Sequence, residues 1–203
     1  MLARAAAGSP PVPDGGLTVL AQPADRDAGV IAFTAHSVVF ADVAAEWVRA
    51  RLPAGDVAAP LSPSFLLALG EQLGRMVANI DMLTVAAALP GHPRLALTEI
   101  TDTDHPRVQR ARRYRDELTI WTGGGAIVMI GRGIASRWEV AIEVDPGLRG
   151  RGVGRRAARA ARHLVPGGEP LWAQIAPGNA ASVRAFLAAG FVPVGAEALV
   201  VRA

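Results

Sequence analysis

The 203-residue chain is 51% hydrophobic, enough for one sizeable core or one domain with an extension, and short for two full domains. Its formal net charge is only +3, and it has no cysteine, which excludes disulfides, thiolate metal sites and cysteine nucleophiles and suits a reducing compartment. No apolar run approaches the roughly 18 residues of a membrane span, so the chain is read as a cytoplasmic protein without membrane attachment.

Residues 1–16 are rich in Ala, Pro and Gly and read as a disordered tail. Residues 17–94 form an N-terminal extension of α/β character. Within it, Gly29 to Val43 is β-branched and aromatic, AAEWVRARL is a short helix, and Pro53 to Pro60 is a loop. Ser62-Pro63-Ser64 starts a second helix, with Phe65, Leu66, Leu69, Leu73, Met76 and Val77 on one face. The apolar segment IDMLTVAAAL follows.

From residue 95 to 203 the pattern becomes regular. Strands are expected at Leu95 to Ile100, Glu117 to Thr122, Ala126 to Gly131, Trp138 to Val144 and Leu171 to Ile175, with a terminal strand from Phe191. Helices are expected from Asp104–Pro106, over Val153 to Leu164 and over Ala180 to Ala189. Alternation of this kind gives an α/β (α+β) domain with a mixed sheet.

The segment VDPGLRGRGVGRRAARAARHL carries the chemistry. Val153, Ala157, Ala160, Ala161 and Leu164 make the packing stripe of its helix, and Gly150, Gly152 and Gly154 precede or enter the first turn. The first helical amides lack intrahelical partners and sit at the positive end of the helix dipole. With Arg149, Arg151 and Arg155 around them they form an anion cradle. A dinucleotide fingerprint fails because position 155 is Arg rather than Gly, and a P-loop fails for want of Lys followed by Ser or Thr.

Val144-Asp145-Pro146 followed by Arg149-x-x-Gly152-x-Gly154 resembles the acyl-CoA pyrophosphate loop of the GNAT superfamily of N-acetyltransferases. A second segment, from Asn179 through Ser182 and Phe186 to Gly190-Phe191, is similar to that family's later motif. The resemblance runs from about Leu95 to the C-terminus. It implies a mixed, mostly antiparallel sheet flanked by helices, in which Trp138 to Val144 and Leu171 to Ile175 form a splayed parallel central pair. It also implies acetyl-CoA as cosubstrate: Val144 on the pantetheine, Arg149, Gly150, Arg151, Gly152, Val153, Gly154 and Arg155 on the pyrophosphate, and Asn179 and Ser182 on the far side. Asn179 equally suits a helix cap, and Phe186 and Phe191 ordinary core.

Transfer of an acyl group to an amine needs a neutral nucleophile and stabilisation of the oxyanion. The backbone N–H of Val144 is the donor the resemblance implies. Glu139 and Glu143, at even spacing on one strand, are the candidates for taking the amine's proton, a solvated face paired with Arg being the alternative. Members of the family often carry Tyr where Phe186 stands, and the only tyrosine, Tyr114, lies far from that motif. No His begins an HxxxD acyltransferase motif, no Ser sits in a GxSxG elbow, and Asp104 or His105 before Pro106 reads as a helix start within TDTDH; no metal is expected.

The expected function is therefore N-acetylation of a primary amine on a small molecule or peptide, the alternative being a non-catalytic acyl-CoA-binding regulatory module. A homodimer is compatible with either. The run Arg107, Arg110, Arg112, Arg113 and Arg115 reads as a solvated helix face, so nucleic acid is not expected as a partner, except as an aminoacyl-RNA that carries the amine.

Overall fold

The computed structural model describes residues 1–101 and 104–202. In chain order the elements are α1 (Leu2–Ala6), β1 (Gly16–Leu20), β2 (Gly29–Phe33), β3 (His36–Phe40), α2 (Ala45–Arg49), α3 (Pro63–Leu73), β4 (Met76–Ala86), β5 (Thr98–Ile100) and α4 (Pro106–Tyr114). Then follow β6 (Asp116–Gly123), β7 (Ala126–Arg132), β8 (Trp138–Val144), α5 (Val153–Ala161), β9 (Leu171–Ile175), α6 (Ala180–Ala188) and β10 (Val192–Val201). Residues 1–83 with 194–203 make one compact unit and residues 84–193 a second. The change to a regular pattern read at residue 95 thus falls inside the second unit. Among the described residues no helix is long and apolar enough to cross a membrane.

In the first unit the strand order is β1-β3-β2-β10-β4, with β1 parallel to β3 and the β2–β3 and β2–β10 pairs antiparallel. One sheet face, carrying Val30, Val39, Ala198 and Val200, packs on Val48 of α2 and on Phe65, Leu66 and Leu69 of α3. Ser62 caps α3 by accepting from the Phe65 N–H at 3.3 Å, and Pro63 occupies the first helical position, where its missing N–H costs nothing. The helix stops at Leu73, short of the Met76 and Val77 that its stripe suggested. Gly74 takes a left-handed φ of 63°, and the Arg75 N–H bonds the Gly70 carbonyl, so Met76 opens a strand instead. Residues 2–6, within the segment that composition marks as a tail, form a single helical turn with Ala5 buried.

The second unit is an open, mostly antiparallel sheet flanked by helices. Its order is β9-β8-β7-β6-β5, and Thr84 at the end of β4 ties to β9 by donating to the Ala173 carbonyl at 3.0 Å. The β5–β6, β6–β7 and β7–β8 pairs are antiparallel, and β8–β9 is parallel. The helix α4 lays Val108 and Ala111 on Ile120, Met129 and Ala141. On the Val144 side, α5 buries Val153, Ala157, Ala158, Ala160 and Ala161 against the sheet and α6. Small side chains let this helix approach closely: a Cβ placed on Gly154 would lie 3.8 Å from Val144 Cγ2.

Leu69 is fully buried in the first unit's core. Replacing it with Ala is expected to lower unfolding free energy by about 2–5 kcal/mol, read from denaturant midpoints at unchanged slope.

Candidate active site

The antiparallel ladder between β7 and β8 decides which backbone groups of β8 are available. The Gly133 N–H bonds the Arg137 carbonyl and the Asp145 N–H bonds the Gly125 carbonyl. Alternation between these ends makes Glu139, Ala141 and Glu143 the residues bonded to β7. The N–H and C=O of Val140, Ile142 and Val144 therefore point towards the β9 side. Pairing with β9 consists of Trp138↔Leu171 and Glu139↔Trp172 alone. Past that rung the two parallel strands part, as the family resemblance implies, and the backbone of Ile142 and Val144 faces the gap.

Beyond Val144 the chain makes a turn of 3-10 helix at Pro146–Leu148 and enters α5 through Arg149–Gly152. Gly150 and Gly152 have φ of 74° and 73°, a left-handed conformation that side-chained residues avoid. Gly125, at φ 77°, is needed for another reason: a Cβ there would collide with Leu148, which anchors the loop. Gly152 is the N-cap of α5 and supplies no capping side chain, leaving the first amides of the helix to other acceptors. Arg151 and Arg155 are exposed beside them. Arg149 bends back, with Nε 3.2 Å from the Val144 carbonyl and Nη2 3.0 Å from Glu143 Oε1. Glu143, Val144 and Arg149 thus form one cluster at the mouth of the gap.

The two carboxylates of β8 share a face and have opposite surroundings. Glu143 is 33% exposed, and its pairing with the 61%-exposed Arg149 is a weak surface contact. Glu139 is 3% exposed. Its Oε1 accepts from Arg137 Nε at 2.8 Å, Gln174 Nε2 at 3.1 Å and the Ile134 N–H at 3.4 Å, and its Oε2 lies 3.2 Å from Arg115 Nη2. Burial pushes the Arg115 guanidinium below its ordinary value, with Glu139 opposing that and Arg107, Arg137 and Arg110 reinforcing it. Glu139 also lies against Gly133, where a side chain would collide with it, and steadies a turn in which Ala135 and Ser136 have φ of 49° and 59°. Both oxygens are engaged and the carboxylate is closed off from solvent. Arg137, two residues upstream, hinted at this clamp; the remote Arg115 and Gln174 gave no signal.

Asn179 caps α6, its Oδ1 accepting from the Ser182 N–H at 3.1 Å. Phe186 is 8% exposed and meets Phe191 edge-to-face with centroids 4.9 Å apart, so both belong to the core. Gly190, at φ 88°, leaves room for Arg162, whose Nη1 donates to the Ala189 carbonyl at 2.7 Å. Of the segment Thr101 to His105, Asp102 and Thr103 lie outside the described residues, and the His105 Nδ1 accepts from the Arg107 N–H at the start of α4.

Residues 97–191 match the model of the acetyltransferase (GNAT) family. This segment belongs to the GNAT superfamily. The match spans the gap, the loop and the α6 segment of the GNAT domain. Similar solved structures include a GCN5-related N-acetyltransferase from Kribbella flavida (17% identity, 68% of this chain and 64% of that one, TM-score 0.40). Others are a putative GNAT-family acetyltransferase from Novosphingobium aromaticivorans (20%, 64% and 67%, TM-score 0.43) and a GNAT-family acetyltransferase from Colwellia psychrerythraea (13%, 70% and 63%, TM-score 0.42). The chain thus spans under two thirds of the Kribbella flavida protein. No curated protein matches it.

The two carboxylates of the GNAT domain are separable by stability. Glu139→Ala leaves buried guanidinium without its counter-charge and is expected to cost about 3–5 kcal/mol. Glu143→Gln, on a half-open surface, is expected to stay within about 0.5 kcal/mol of the parent in the same denaturation experiment.

Proposed function

We propose that the chain transfers an acetyl group from acetyl-CoA to the nitrogen of a primary amine on a small molecule or peptide, in the gap between β8 and β9. The observation that carries this reading is the open edge of β8: the N–H of Val144 faces a gap that begins one rung past Glu139↔Trp172 and lies beside a glycine loop with free helical amides.

The residues present suit acyl-CoA. The amides of Gly150 to Gly154, with Val153 fixing the helix on the sheet and Arg151 and Arg155 at the rim, would hold the pyrophosphate. Arg149 can turn from Glu143 to the same anion at little cost, because an exposed ion pair contributes at most about 1 kcal/mol. That turn also frees the Val144 carbonyl for the pantetheine. Asn179, through the amide nitrogen its cap does not use, and the Ser182 hydroxyl would contact the outer part. When bound, acetyl-CoA supplies an acyl carbon activated as a thioester.

The chain's own contributions follow from charge. The Val144 N–H donates to an acyl oxygen as it gains negative charge, from a backbone held in place by the β7 ladder. Glu143, once Arg149 has turned, accepts the proton of the attacking amine directly or through water. Glu139 drops out of this role and holds the strands instead. Phe186 supplies no hydroxyl, which favours departure of the thiolate without a protein acid. That same buried Phe186 is the observation behind a second reading, a non-catalytic acyl-CoA-binding regulatory module.

Calorimetry with acetyl-CoA and thiol release over a panel of amines test both. Glu143→Gln is expected to lower kcat by about 10²–10⁴-fold with acetyl-CoA affinity unchanged. A variant as fast as the parent removes Glu143 from the chemistry. Binding without thiol release from any amine supports the regulatory module, and absence of binding rejects both readings.

A further inference from the structure

The solvent face of α4 is a cation surface with no counter-ions of its own. Val108 and Ala111 turn to the sheet, and Arg107, Arg110, Arg112 and Arg113 are exposed on the rest of the helix. Among the described residues Arg107, Arg110 and Arg113 form no ion pair with any carboxylate, and Arg112 has only a 3.4 Å contact to the Thr101 carbonyl. Arg107, Arg110 and Arg113 follow one another at a spacing of three, which sets like charges side by side. Arg107 stands in the first turn, at the positive end of the dipole, where a cation is disfavoured. Among the described residues the neighbouring acids pair with none of these three: Glu117 lies 3.8 Å from Arg132, alternation along β5 turns Glu99 away from the face on which Ile100 meets α4, and the exposed Asp104 and Asp116 form no ion pair with Arg107, Arg110 or Arg113. The Arg110 guanidinium lies 5.5 Å from the centroid of the Tyr114 ring, giving the patch one aromatic surface.

We infer that this face of α4 binds the phosphodiester backbone of a nucleic acid. Three guanidiniums without a carboxylate partner among the described residues, spaced along one short helix, suit a string of phosphates better than a single anion, and neutralising them releases condensed counter-ions. Ala141, against which α4 packs, is on the same face of β8 as Glu143. A nucleic acid held here lies on the side from which Glu143 would meet an amine, so an amine tethered to RNA is the acceptor this placement suits. That last link rests on the acyl-transfer reading; the binding surface does not, and the two fail separately.

The test is fluorescence anisotropy of the full chain with labelled 20-nucleotide RNA and DNA across a salt series, beside labelled polyglutamate and phosphatidylserine vesicles. Binding to RNA or DNA is expected, with log K falling linearly in log salt. The exposed triple variant Arg107→Gln, Arg110→Gln, Arg113→Gln is expected to bind at least tenfold more weakly at low salt. Its slope should be shallower by about 2–3, with the thermal midpoint and circular dichroism of the parent. No nucleic-acid binding at low salt, a triple variant that binds like the parent, or equal affinity for polyglutamate or vesicles overturns the inference. Binding by a chain that shows no acetyl-CoA affinity leaves the surface standing and removes only its link to the acceptor.

Discussion

The second unit depends on one buried carboxylate. Glu139 sits on the last rung that β8 shares with β9, and Gln174, two residues further along β9, reaches back to it. Arg137 and Arg115 supply the charge that makes this burial tolerable, and the Ile134 N–H adds the strained turn to the same anchor. A charge taken out of water persists only when paired and hydrogen-bonded, and here the partners come from the turn that leads into β8, from β9 and from the segment after α4. The clamp fixes where the parallel strands stay together, and hence where they begin to part.

Everything at the gap is downstream of that point. The antiparallel ladder with β7 turns the backbone of Ile142 and Val144 outward, and the loss of β9 pairing leaves those groups without strand partners. The anchor of Leu148 over Gly125 returns the chain in time for α5 to start beside Val144. The alanine stripe of α5 then sets its amides close to the strand end. The functional groups are mostly main-chain atoms, and it is packing that aims them.

This explains which parts of the molecule are legible in the sequence. The ranges of β8 and β9 are readable to the residue, because alternation and apolar runs report burial directly, and so are Gly150 and Gly152 of the loop, whose positive φ favours glycine. The family follows from two spaced motifs, and residues 97–191 match its model. Less legible is whatever depends on which side chain reaches which. Even spacing puts Glu139 and Glu143 on one face, yet it cannot show that one is sealed by Arg115 and Gln174 and the other left half open. Likewise the stripe of α3 continues in sequence through Met76, and only the left-handed Gly74 converts that continuation into a strand. The strand beside β9 ends in Thr84 to Ala86, far upstream of the motifs, a long-range pairing that local patterns do not encode.

The central claim is that the open edge of β8 and the first amides of α5 receive acyl-CoA. Amide hydrogen exchange with and without acetyl-CoA tests it most directly. The account predicts slowed exchange at Ile142 and Val144 and from Gly150 to Gly154, with Glu139 and Ala141, already bonded to β7, unchanged. Protection confined to other segments, with Val144 and the loop exchanging as in the free protein, would contradict it.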